Sequence, residues 1–96
     1  MTRTINYNHE TVGAHGSDSS ISSATPIPVP ASANMLMIQA EGQDVRITFD
    51  GTTPTASVGF LIPAGATAQY GVDKDLTIQV IETAASATVQ WQFWRI

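Results

Sequence analysis

The side chains able to do chemistry are few and scattered. His9 and His15 stand six apart with Glu10 between them. That could supply two ligands to a metal, but a metal site needs three or four held ligands, and two histidines on a glycine-containing stretch read as solvated. General acid–base work needs carboxylates in a concave, desolvated setting. Glu41, Asp44, Asp50, Asp73, Asp75 and Glu82 instead fall at or beside predicted turns, where capping of backbone N–H groups is the ordinary use. Serine is common, yet there is no Gly-x-Ser-x-Gly elbow and no Gly-x-x-x-x-Gly-Lys phosphate loop. Asp73-Lys74-Asp75 has the acidic spacing of half a calcium loop but lacks its glycine and terminal glutamate. The sequence therefore predicts a non-enzymatic protein with no cofactor and no metal.

The stretch that could bind something is the last one, Ala87 to Ile96. Side chains alternate across a strand, so Val89, Trp91 and Phe93 share one face and Gln90, Gln92 and Trp94 the other. Trp91 is expected in the core. Trp94 and Ile96 are expected at an interface, covered by the chain's own N-terminal arm or by a neighbouring subunit, since tryptophan is enriched at binding hot spots. The alternative is a sugar platform of Trp94 flanked by Gln90 and Gln92, because an indole combines an apolar face with a polar tip.

The elements that must position this strand read as β throughout. Leu36, Ile38 and Ala40 alternate, as do Val45, Ile47 and Phe49. With Glu41-Gly42-Gln43-Asp44 between them, Met35–Phe49 is predicted to be a β-hairpin, Gly42 supplying the positive φ of its turn. Residues 19–24 could open the first strand of the body. Thr25-Pro26-Ile27-Pro28-Val29-Pro30 must be extended and confined to an edge, because proline removes every other ladder donor; Ile27 and Val29 can still dock on the core. Val58–Ile62 is a short apolar run. Ala66–Val72 is a further strand anchored by Tyr70, and Leu76, Ile78 and Val80 alternate in another. No stretch has the period and caps of a helix. About six to eight short strands with turn signals every ten residues or so predict a small antiparallel β-sandwich or jelly-roll-like domain over residues 19–96. Residues 1–18 hold few apolar side chains and are expected to be a disordered tail or an extended arm that orders against something else, with Ile5 and Tyr7 as its anchors.

Composition narrows the partners. The chain has 96 residues, 43% of them hydrophobic, no cysteine, a net charge of −4 and only 12% charged residues. Arg3, Arg46, Lys74 and Arg95 are scattered, which argues against a nucleic-acid partner. No apolar run approaches the roughly 18–20 residues of a membrane span, and no basic region followed by an apolar stretch marks a secretory signal. Without disulfides, a small β domain leans on oligomerisation.

The block Ile38-Gln39-Ala40-Glu41-Gly42-Gln43-Asp44-Val45-Arg46, followed by Asp50-Gly51-Thr52-Thr53-Pro54-Thr55-Ala56-Ser57-Val58-Gly59, resembles small all-β virion proteins encoded in the structural gene clusters of tailed phages. The resemblance spans about residues 36–65 and contains no catalytic residue. It implies a structural role, either as a capsid decoration (cement) protein on the virion surface, made in the host cytoplasm, or as a component near the head–tail junction. The implied partners are the major capsid protein and further copies of this chain, with a homotrimer the expected assembly. The alternative is an adhesion or carbohydrate-binding module of a phage fibre.

Overall fold

The computed structural model describes residues 9–96; Ile5 and Tyr7 lie outside them. The described residues are all β, as the alternating pattern predicts. Eight strands run in order: β1 (Glu10–Asp18), β2 (Thr25–Pro26), β3 (Met35–Glu41), β4 (Val45–Thr48), β5 (Phe60–Ile62), β6 (Thr67–Gly71), β7 (Gln79–Glu82) and β8 (Thr88–Arg95). They form two four-stranded antiparallel sheets, β1-β8-β3-β6 and β2-β7-β4-β5. Successive strands change sheet at every step except β4 to β5, the winding of a jelly roll.

That winding overturns one expectation. Met35–Phe49 is not a hairpin: β3 pairs with β6 and β8, β4 with β5 and β7. The turn at Gly42 carries the chain from one sheet to the other, so both strands press their alternate residues into the same core. Leu36, Ile38, Ala40, Val45 and Ile47 are fully buried there. The alternation identified each strand's buried face correctly, but it is silent on which strand lies alongside. Thr48 departs from the pattern by being buried, and its hydroxyl is satisfied by donating to the Thr52 carbonyl at 2.6 Å.

Ile21, Ile27, Ala33, Ile62, Val72, Ile78, Val80, Ala87, Val89 and Phe93 complete the core. Fully burying an Ile or Val contributes about 1.5–3 kcal/mol. Ile21 reaches the core without belonging to a strand. The proline-rich segment runs as expected: β2 is an edge, Ile27 is buried, and the Ile27 N–H bonds the Ile78 carbonyl at 2.9 Å. Glu10–Asp18, which the sequence places in the arm, lies as β1 on the edge of the first sheet against β8. Val12 faces Phe93 and Gly16 faces Trp91, so Gly13, Ala14 and His15 bulge opposite Gln92 alone.

Trp91 is half-buried and lies across Gly16, where an added Cβ would stand 2.1 Å from the indole. Gly42 is constrained twice. Its φ is +82°, and an added Cβ would stand 2.4 Å from the backbone carbonyl oxygen of Ser86. Gly42→Ala is therefore expected to destabilise by about 2–3 kcal/mol, from backbone strain plus the forced shift of Ser86. Gly71→Ala, with open space around the added methyl, is expected to change stability by less than about 1 kcal/mol. Urea unfolding of the two variants checks the contrast.

Candidate functional site

Several of the carboxylates cap turns. The Asp44 side chain accepts from the Ala64 N–H at 2.9 Å, Asp50 from Thr52 at 3.0 Å, Asp73 from Asp75 at 2.8 Å and Glu82 from Ala87 at 3.2 Å. Lys74 pairs with Asp75 on the exposed surface, where such pairs contribute little. His15 lies in β1, not on a loose tail, and its Nε2 is 2.8 Å from Gln90 Oε1. Among the described residues no three His, Cys, Asp or Glu side chains come together to hold a metal. What the fold assembles is two surfaces.

The first is the outer face of the β1-β8-β3-β6 sheet. Register sets its rows: Trp94 beside Met35, Gln92 beside Met37 and Gln69, Gln90 beside Gln39 and Thr67. Trp94 is half-buried, on the face opposite Val89 and Phe93 as the alternation predicts, and Ile96 is 56% exposed. A hollow of about 430 Å³ lies beside His15, Met37, Gln39, Thr67, Gln90 and Trp94. A second, of about 550 Å³, lies beside His9, Met35, Gln69, Trp94 and Ile96. Trp94 and Met37 border both. Trp94 Nε1 is buried with no hydrogen-bond partner.

Asn34 holds this end of the face together. Its side chain accepts from the Ile96 N–H at 3.0 Å and donates to the Ile96 carbonyl at 3.2 Å. Its backbone bonds Trp94 and Val72 at 2.9 and 3.0 Å, tying β8 and the end of β6 to the start of β3.

The second surface is the margin at β5, an edge strand. Phe60 is 66% exposed, Leu61 45% and Val58 43%. Phe60 leans on Phe49 (6.1 Å between ring centroids), and Phe49 on Tyr70 of β6 (4.7 Å). The aromatic row closes this side of the sandwich and leaves its last member in solvent. Burial raises the Tyr70 pKa. The loop leading into β5 is fixed. Arg46 donates from Nη1 to the Gly59 carbonyl at 3.0 Å and from Nε to the Ala56 carbonyl at 3.4 Å; Thr55 and Val58 exchange backbone bonds; Pro54 is fully buried. An apolar run normally signals burial, so its exposure here was not legible in the sequence.

No family model matches the chain, and comparison with curated proteins finds no relative. A solved structure described with the words "Bacillus endospore appendages form a novel family of disulfide-linked pili" aligns over the whole of both chains at a TM-score of 0.52 and 18% identity. The likeness is one of fold. This chain has no cysteine and cannot form the disulfides that those words describe.

Two outcomes test the local geometry. Asn34→Ala is expected to destabilise by about 1–2 kcal/mol, the worth of its side-chain bonds. With Trp91→Phe as background, it should also shift Trp94 fluorescence to the red. At the β4–β5 loop, the Thr52 hydroxyl and N–H hold the Asp50 carboxyl below its ordinary pKa. A depressed carboxyl stabilises the fold above the ordinary pKa, and this is lost as pH falls through the folded-state value. Thr52→Val should raise the Asp50 pKa towards the ordinary value in an NMR titration, and an unchanged Asp50 curve would contradict the assignment.

Proposed function

We propose that the chain is a non-enzymatic structural subunit that works in many copies, as a decoration or cement protein on a tailed-phage capsid. The observation that carries this reading is the apolar strip at the β5 margin: Phe60 and Leu61 on a strand paired on one side only, and Val58 in the loop before it, all standing in solvent. Natural proteins guard such edges with charge, proline or a bulge, because an open apolar edge recruits another chain. β2 on the opposite margin contains Pro26, and β1 is bulged. β5, three residues long, has no charge, proline or bulge of its own, and the loop before it, clipped by Arg46, holds the strip in place. In the assembled state, on this reading, the strip is covered by another subunit.

Two further points support the reading. The residue block that resembles phage virion proteins coincides with the turn at Gly42 and the loop into β5, the segments that build this margin. A pilus structure shares the fold, and pili are multi-copy assemblies, though function belongs to sites and not to folds. On this reading Ile5 and Tyr7 are contact residues for the capsid shell or a neighbouring copy. The working oligomer is a homotrimer.

Light scattering on the purified chain is expected to give a trimer, and the double substitution Phe60→Asp with Leu61→Asp is expected to give a folded monomer that no longer associates with capsid particles. Removal of residues 1–8 should weaken particle association without lowering the unfolding temperature. A wild-type monomer that also fails to associate with particles would overturn the proposal.

A further inference from the structure

The outer face of the β1-β8-β3-β6 sheet has a chemistry unlike that of the β5 margin. Neither of its two hollows is lined by a Lys, Arg, Asp or Glu. Their walls are glutamines, threonines and methionines, with Trp91, Trp94, Ile96 and the imidazoles of His9 and His15. A glutamine amide offers a donor and an acceptor side by side, which matches paired hydroxyls. Gln90 is fixed from both ends, its Oε1 by His15 at 2.8 Å and its Nε2 by Glu41 at 3.3 Å. Gln92 Nε2 is held by the Gly13 carbonyl at 3.1 Å, so its Oε1 remains as an acceptor on the face. Gln39 and Gln69 lie across β3 and β6 in the neighbouring rows. Trp94 stands between the hollows with its ring partly open.

We propose that this face binds a neutral oligosaccharide, with Trp94 as the stacking platform and the amides of Gln39, Gln69 and Gln92 as its hydrogen-bond partners. A pyranose ring presents an apolar C–H face, which an indole accepts, and hydroxyls around its rim, which amides accept and donate to. Hollows on both sides of one indole suit a chain of sugars better than a single ring. From Gln90 to Trp94 along β8 is about 13 Å at the rise of a strand, room for more than one ring. The absence of cationic lining selects against sialylated or sulfated glycans. Both hollows fall within the roughly 300–1,000 Å³ of small-molecule sites. The proposal is independent of the assembly reading, because its residues lie on the other sheet from β5.

The test is a glycan array of neutral and acidic oligosaccharides probed with the full chain, each hit measured again by calorimetry. Binding of at least one neutral glycan is expected, weakened about tenfold or more by Trp94→Ala and less by Trp94→Phe, with the oligomeric state unchanged. Gln39→Ala with Gln69→Ala, which removes side chains from the face and none from the core, is expected to weaken the same hit and to serve if Trp94→Ala fails to fold. An array silent for neutral glycans, a hit indifferent to the glutamine pair, or dissociation of the oligomer by Trp94→Ala would each overturn the proposal, the last by showing that the face is a subunit interface.

Discussion

The ladder between β3 and β8 sets both sides of the molecule at once. It runs unbroken from Met35 opposite Trp94 to Glu41 opposite Thr88. Because side chains alternate with a period of two, this register sends Leu36, Ile38, Ala40, Val89 and Phe93 into the core. The same register lines up Met35, Met37, Gln39, Gln90, Gln92 and Trp94 outside. A slip of one residue would exchange the two sets, exposing isoleucine and burying glutamine. The core therefore enforces the composition of the outer face, and that face comes positioned at no separate energetic cost. β1 completes it only because Gly16 leaves room for the Trp91 indole to lie across the strand.

A second constraint follows from the winding. When consecutive strands change sheet, each sheet must find its neighbours from distant parts of the chain, and the two side margins of the sandwich must be closed by different means. One margin has the prolines of the β2 segment and the bulge of β1. The other is plugged by Tyr70, Phe49 and Phe60, stacked outward from half-buried to open. β4 and β5 are the one consecutive pair within a sheet, and the loop joining them is clipped by Arg46 and pinned by Pro54. That rigidity matters to the exposed strip. Three apolar side chains on a mobile loop would collapse onto the surface, whereas on a fixed edge they stay presented.

How legible all this was depends on the length scale of each feature. Local periodicity gave the β class, the turns, the edge position of the proline segment, and the faces of β3, β4 and β8. It could not give pairing, because an alternating strand looks the same whether its partner is the next strand or one fifty residues away. Hence Met35–Phe49 read as a hairpin when it is a crossing between sheets. Asn34 and Gly16 act through partners far along the chain and have no local signature. Val58, Phe60 and Leu61 were visible as an apolar run, but burial is the default reading of such a run, and only the sheet order shows that β5 has nothing beyond it.

The low charge of the chain links the two surfaces. With 12% charged residues, much of the exterior is formed by neutral amides, hydroxyls and apolar groups, and Asp44, Asp50, Asp73 and Glu82 cap turns. Net charge is what ordinarily keeps small domains apart in solution. The chain carries −4 of it, while Phe60 stands exposed at the β5 margin. With no cysteine in the chain, apolar contact and edge pairing are what the β5 margin offers another subunit. Such contact is non-directional, so direction has to come from the backbone groups of the open edge. The β5 margin combines both, the open side of a strand paired only with β4 and the exposed Phe60 and Leu61 on it, while the neutral face belongs to the other sheet.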